Sequence, residues 1–159
     1  MAIYMQWDGI DGAVTTKGYE KWVELNSFQM GVGRAIGTAA RGAATREASE
    51  PSISEVVVTK RLDKASTKLF QDATGGDLSA TVKFKFTTTT KDKVETYLAF
   101  ELTNCGLSGY SLSCGGGDAP QESLSLNFTK IMYTYTELDP KTSGSPDTVG
   151  YDLTQMSKV

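Results

Sequence analysis

Thr81-Val82-Lys83-Phe84-Lys85-Phe86-Thr87 alternates apolar and polar side chains at every step. A period of two places Val82, Phe84 and Phe86 on one face of an extended chain and the lysines and threonines on the other. That is a half-buried antiparallel strand, with one face on the core and one in water. The segments on either side repeat the pattern. Leu98, Phe100 and Leu102 share one face, and Tyr97, Ala99 and Glu101 the other. Leu107 to Leu112 gives a further strand containing Tyr110. Leu124, Leu126 and Phe128 alternate with Ser123, Ser125, Asn127 and Thr129, and Ile131, Tyr133 and Tyr135 continue on the opposite parity. A bulge near Thr129-Lys130 joins these two runs into one long strand. Val149 to Leu153 is the last strand expected.

Toward the N-terminus, Val56-Val57-Val58-Thr59 within Ile53–Arg61 reads as a strand buried on both faces. Val23, Leu25, Phe28 and Met30 change phase near Asn26-Ser27, which predicts a second bulge. Met1 to Asp8 has neither the basic region nor the apolar run of a secretory leader and is expected to be the first strand of a cytosolic domain. One segment has a helical period: Ala65, Leu69 and Ala73 are spaced four apart, Asp63 is an N-cap and Gly75-Gly76 a stop. A helix is therefore predicted over 63–74. Strands separated by turns every 8–15 residues, with one helix, predict a mainly β fold: a small antiparallel β-barrel of two sheets with one flanking short α-helix.

Residues 31–52 break the regularity. They hold small residues and the arginines Arg34, Arg41 and Arg46, and are too long for an ordinary connection. Gly31, Gly33 and Gly37 approach a dinucleotide fingerprint, but the third glycine falls one place late and no βαβ unit surrounds them. The arginines lack interleaved aromatics, so they fit contacts to an acidic surface of a neighbouring subunit better than nucleic acid.

The chain has 159 residues, 16 Lys and Arg against 19 Asp and Glu, a net charge of −3, two cysteines and no histidine. This size is expected to form one domain over 1–159. Without histidine there is no Ser-His-Asp triad, no Cys-His pair and no His-bearing zinc or iron site. Two cysteines are too few for an all-thiolate zinc site, and Cys105 and Cys114 are expected as reduced thiols. Asp11, Glu24, Asp92, Glu95 and Glu101 form no pair by spacing. No enzyme activity, cofactor or metal is expected. Asn127-Phe128-Thr129 matches a glycosylation acceptor, but it is expected mid-strand in a chain without a secretory leader, so the match is read as accidental.

Four segments, in order, are similar to the haemolysin-coregulated protein family, Hcp, of type VI secretion systems. Ala2-Ile3-Tyr4-Met5-Gln6-Trp7-Asp8-Gly9-Ile10-Asp11-Gly12 resembles the opening strand and "I-x-G-I-x-G" turn of that family. Ser27-Phe28-Gln29-Met30-Gly31-Val32 resembles "S-F-x-W-G-V", with Met30 in place of tryptophan. Val58-Thr59-Lys60-Arg61-Leu62-Asp63-Lys64-Ala65-Ser66-Thr67-Lys68-Leu69 resembles "x-x-K-x-x-D-K-A-S-P-x-L", with Thr67 in place of proline. Leu124-Ser125-Leu126-Asn127-Phe128-Thr129-Lys130-Ile131 resembles "x-x-L-x-F-x-x-I/V".

The resemblance implies a structural tube subunit. It would assemble with itself into homohexameric rings, stacked within contractile sheath proteins below a VgrG spike protein. The tube would form in the bacterial cytoplasm and be expelled to the extracellular space or a target cell, carrying small effector proteins in its lumen. Neither nucleic acid nor membrane insertion is implied. Residues 32–51 would then be the loop by which rings meet, with Arg34, Ile36, Thr38, Arg41, Arg46 and Glu47 as candidate contacts. Gln29, polar between Phe28 and Met30, is the candidate lumen residue. The alternatives are a stand-alone β-barrel module with 31–52 as a ligand lid and, with least support, a hydrolase using carboxylates alone.

Overall fold

The computed structural model describes residues 1–37, 48–139 and 142–159, the side chains of 139, 142 and 143 excepted. The first elements are β1 (Ala2–Trp7), β2 (Val23–Leu25), β3 (Ser27–Gln29), β4 (Val32–Gly33), β5 (Ser52–Ile53) and β6 (Val56–Arg61). α1 (Ser66–Gly75), β7 (Ala80–Thr90), β8 (Lys93–Ser113), β9 (Gln121–Asn127) and β10 (Lys130–Tyr135) follow. β11 (Leu138–Asp139), β12 (Thr142–Ser143), β13 (Asp147–Asp152) and β14 (Ser157–Lys158) complete the chain. The fold is mainly β, every pairing is antiparallel, and α1 is the one α-helix among the described residues.

β8 organises the molecule. Its first half lies between β7 and β10, and its second half, from Gly106, pairs with β9. The 107–112 segment is therefore not a separate strand but the continuation of 93–105. The crossing is marked by Asn104 at φ +51 and by a register slip between Leu107 and Gly109. Bends and bulges let one strand serve two sheets. The Asp72 carboxylate of α1 accepts the Leu107 N–H at 3.1 Å and ties the helix to this bend.

One sheet runs β14-β13-β10-β8-β7-β1-β2, and β3-β6-β9 forms a second layer joined to it through β8. Val82, Phe84, Leu102, Leu124, Leu126, Val56 and Val58 pack between the layers with almost no exposure. Phe28 lies 4.9 Å from Phe84, 5.2 Å from Phe86 and 5.0 Å from Phe100 by ring centroids, so β3 closes an aromatic cluster. Offset and edge-to-face pairs of this kind add to what burial alone supplies.

Several local expectations are corrected. The change of phase at Asn26 is a change of partner: β2 pairs β1, β3 pairs β6, and the Asn26 N–H donates to the Thr59 carbonyl at 2.7 Å. The two layers meet here without continuous pairing, so the pairings do not close the expected barrel. The run 123–135 is two strands, because β9 ends at Asn127 and β10 begins at Lys130; both lie along β8, on its second and first halves, but β9 has β6 on its other edge and β10 has β13. β6 is buried on one face only: Val56, Val58 and Lys60 point inward and Val57 and Thr59 are half-buried.

The helix begins at Ser66, not Asp63. Asp63 instead shapes the turn before it, its Oδ1 accepting the Ala65 N–H at 2.9 Å while Ser66 Oγ accepts the Asp63 N–H at 3.0 Å. Ala65 and Leu69 are buried as the spacing predicts. Gly76 ends the helix in extended conformation, and a Cβ there would collide with the Asp72 carboxylate.

Candidate functional site

Two features are candidates for function, an arm at residues 31–54 and a buried polar cluster beneath α1. The arm's ends are paired rather than irregular. Val32 faces Ile53 and Gly33 faces Ser52. Further out, the Ser49 N–H donates to the Ala35 carbonyl and the Ala35 N–H to Ser49 Oγ, both at 2.8 Å, and Ile36 bridges Ala48. At the root, the Ser54 N–H and hydroxyl both donate to the Gly31 carbonyl, at 2.8 and 3.0 Å. The pairing slips by one residue on the 48–52 side, where Pro51 has no N–H to donate.

On the other side Val32 and Gly33 are paired, Ile36 forms the bridge, and Arg34 lies between them. Val32 is 65% exposed, Ile36 48%, and Arg34 is exposed with no ion-pair partner among the described residues. Thr38, Arg41, Arg46 and Glu47 lie outside the described residues. Gln29 is exposed on β3 while Phe28, its neighbour, packs on the core. The arm candidates and Gln29 thus sit next to one another in the chain, Gln29 at the root and Arg34 and Ile36 beyond it.

The cluster beneath α1 was not anticipated as a site. Lys60 and Glu122 are fully buried, with Lys60 Nζ 3.0 Å from Glu122 Oε2. The same ammonium lies 3.0 Å from Asp63 Oδ1 and donates to Ser66 Oγ at 3.2 Å and to the Arg61 carbonyl at 2.8 Å. Glu122 Oε1 is buried with no hydrogen-bond partner. Tyr110, half-buried, lies close enough to this carboxyl group for its hydroxyl to interact with it. Its hydroxyl is held above the ordinary value by burial first and by the Glu122 charge second. The signal was in the register: Lys60 has the parity of Val56 and Val58, so a strand with those valines inward must bury the lysine as well.

Cys105 and Cys114 are both free. Cys105 is buried, which, with the Asp72 charge as the lesser cause, pushes its thiol up to about 12. Cys114 is exposed at the end of β8. Among the described residues no group of three or more Cys, Asp or Glu is placed to hold a metal ion, and no helix is long and apolar enough to cross a membrane.

Comparison with known proteins meets this geometry. The family model described as "Type VI secretion system effector, Hcp" matches residues 4–135. A solved structure described as "Structure of a type six secretion system protein" is 27% identical, covers 99% of each chain and has a TM-score of 0.89. Hcp1 from Salmonella typhimurium, at 21% identity over 99% of this chain and 98% of that one, shares the fold with a TM-score of 0.78. A type VI secretion system effector from Yersinia pestis does so at 17% identity and 0.71, covering 94% of this chain and 98% of that one. Among curated proteins none matches. With a family model spanning β1 to β10 and a fold that superposes along its whole length, the chain belongs to the Hcp family of type VI secretion system proteins.

Proposed function

We propose that residues 1–159 act as one structural tube domain, a non-enzymatic subunit that assembles with itself into hexameric rings. The rings stack through the arm into a tube that is expelled from the cell with small effector proteins in its lumen. The observation that carries this reading is the arm. It is a paired ribbon at its base, it forms a two-stranded sheet apart from the two layers, and it carries exposed Val32 and Ile36. Exposed apolar side chains gathered on a separate element mark a contact surface. Rings made of identical subunits need heterologous contacts, in which one patch meets a different patch of the next copy.

The finer assignments belong to the same proposal. β2 and β3, joined at Asn26, act as a single broken strand that lets the two layers function as a barrel wall. Gln29 faces the lumen, Arg34 and Ile36 take part in ring stacking, and Thr38, Arg41, Arg46 and Glu47 do so from the arm's outer part. Contractile sheath proteins surround the tube, a VgrG spike protein caps it, and assembly precedes release to the extracellular space or a target cell. Deleting residues 34–48 tests the division of labour. Rings persist while tubes and secretion are lost. Loss of the cooperative thermal transition of the folded subunit overturns it.

A further inference from the structure

The two layers differ in what they turn to solvent. On the outer face of the larger sheet ionised side chains are interspersed: Lys83 stands opposite Glu101 in register, and Lys85 follows on the same face. The outer face of β3, β6, β9 and the second half of β8 carries hydroxyl and amide groups instead. Ser27, Thr59, Ser123 and Ser111 form one row across the four strands. Gln29 opens the next row, which ends at Gly109. The Ser27 and Thr59 hydroxyls bond to each other, and the Asn26 carboxamide donates to Gln121 Oε1 at 2.8 Å. Arg61 closes one end of the face, and Glu55, bonded to Ser108, the other. Between them no strand position on this face holds an ionisable side chain.

Composition does not account for the contrast. The chain holds 16 Lys and Arg and 19 Asp and Glu, and a solvated face ordinarily takes its share of them. Ring symmetry does account for it. In a closed ring every side chain recurs in each copy. One charge on a wall that surrounds a lumen becomes a belt of like charges. Such a belt focuses its field on whatever enters and raises the local concentration of one sign of solute by about 10–10³-fold. Hydroxyls and amides make no such selection, and side chains as short as serine leave the wall smooth.

We propose that the outer face of β3, β6, β9 and β8 is the wall of the lumen, and that its lack of charge makes the tube indifferent to the net charge of its protein cargo. The proposal rests on the reading of the chain as a ring subunit with Gln29 toward the lumen. It adds the class of cargo: small proteins of either sign, met by neutral hydrogen-bonding groups rather than by a complementary field.

Charge introduced into the wall tests it. Ser111→Glu and Ser111→Lys are made at an exposed position, and the same exchanges at exposed Ser27 repeat the test on the opposite edge of the face. The probes are two fluorescein-labelled Gly-Ser peptides, one carrying lysines and the other as many glutamates. Each is titrated by fluorescence anisotropy at about 0.15 M salt, where fields beyond about 8 Å are screened, and negative-stain images are taken of the same samples. Parent rings are expected to bind the two peptides within about threefold of each other. The Glu variants gain a preference of at least about tenfold for the lysine peptide, the Lys variants the reverse, and high salt abolishes both. Rings whose variants discriminate no better than the parent place this face outside the lumen; they overturn the proposal and leave the tube reading standing. Parent rings with a larger preference of their own overturn the indifference to charge. Absence of rings from the parent overturns the proposal and the tube reading together.

Discussion

Lys60 Nζ lies 3.0 Å from Glu122 Oε2, and neither side chain has any exposure. The pair joins β6 to β9 and, through Asp63 and Ser66, holds the start of α1. Such a pair is costly to desolvate, and its worth lies in completeness. Removing one partner leaves a buried charge with nothing to balance it. Lys60→Met therefore destabilises the fold by about 3–5 kcal/mol in chemical denaturation. The double variant Lys60→Met with Glu122→Leu recovers most of that loss, because both charges are gone and the volume is kept. A double variant no more stable than Lys60→Met shows that packing, not the uncompensated charge, set the cost.

Gly12 is fixed by room rather than by backbone conformation. A Cβ there would fall 2.5 Å from the Trp22 carbonyl carbon and 2.7 Å from Val23 Cγ2. The Gly12 N–H also donates to the Lys21 carbonyl at 2.7 Å, which holds the two segments together. Gly12→Ala must push backbone away from backbone and lowers stability by about 1–3 kcal/mol. Gly9→Ala is the comparison, since a Cβ at Gly9 meets nothing within 4 Å and only its φ of +83 opposes the change. Urea midpoints of the two variants, read at unchanged slope, separate collision from backbone strain.

The two thiols differ in reach and in acidity. In the native state one thiol per chain, Cys114, reacts with a disulfide reagent at neutral pH; in denaturant both react. Burial holds the Cys105 thiol at about 12 in the folded chain. Its value there lies above that of the unfolded chain, about 8.5, so the folded state keeps a proton that the unfolded state sheds. That contribution is fully present below the unfolded value and is lost as pH rises through the folded one. Stability thus declines from about pH 9 toward pH 12, and Cys105→Val declines less steeply than the parent over the same range. Parallel declines would place the alkaline loss in other groups.

Much of the fold is legible in the alternation of Val82, Phe84, Phe86, Leu98, Phe100 and Leu102, because a one-sided strand writes its burial into every second residue. The same rule was enough to bury Lys60, yet a charged side chain reads as surface until its partner is known. That partner is Glu122, 62 positions away. The continuity of β8 was hidden by the bend at Asn104 and the slip at Leu107, where residues belong to two sheets at once. The switch at Asn26 was visible as a change of phase but not as a change of partner. A bulge and an exchange of neighbours leave the same trace in the period. In the arm, hydrogen bonds from Ser49 and Ser54 supply the order that apolar periodicity did not advertise.

Self-assembly into rings is measured most directly by mass. Light scattering on the purified chain, with negative-stain imaging of the same sample at high micromolar concentration, is expected to give ring-shaped particles of six times the 17.1 kDa chain mass, together with their stacks. A single species at the chain's own mass, with no rings in the images, would contradict the account.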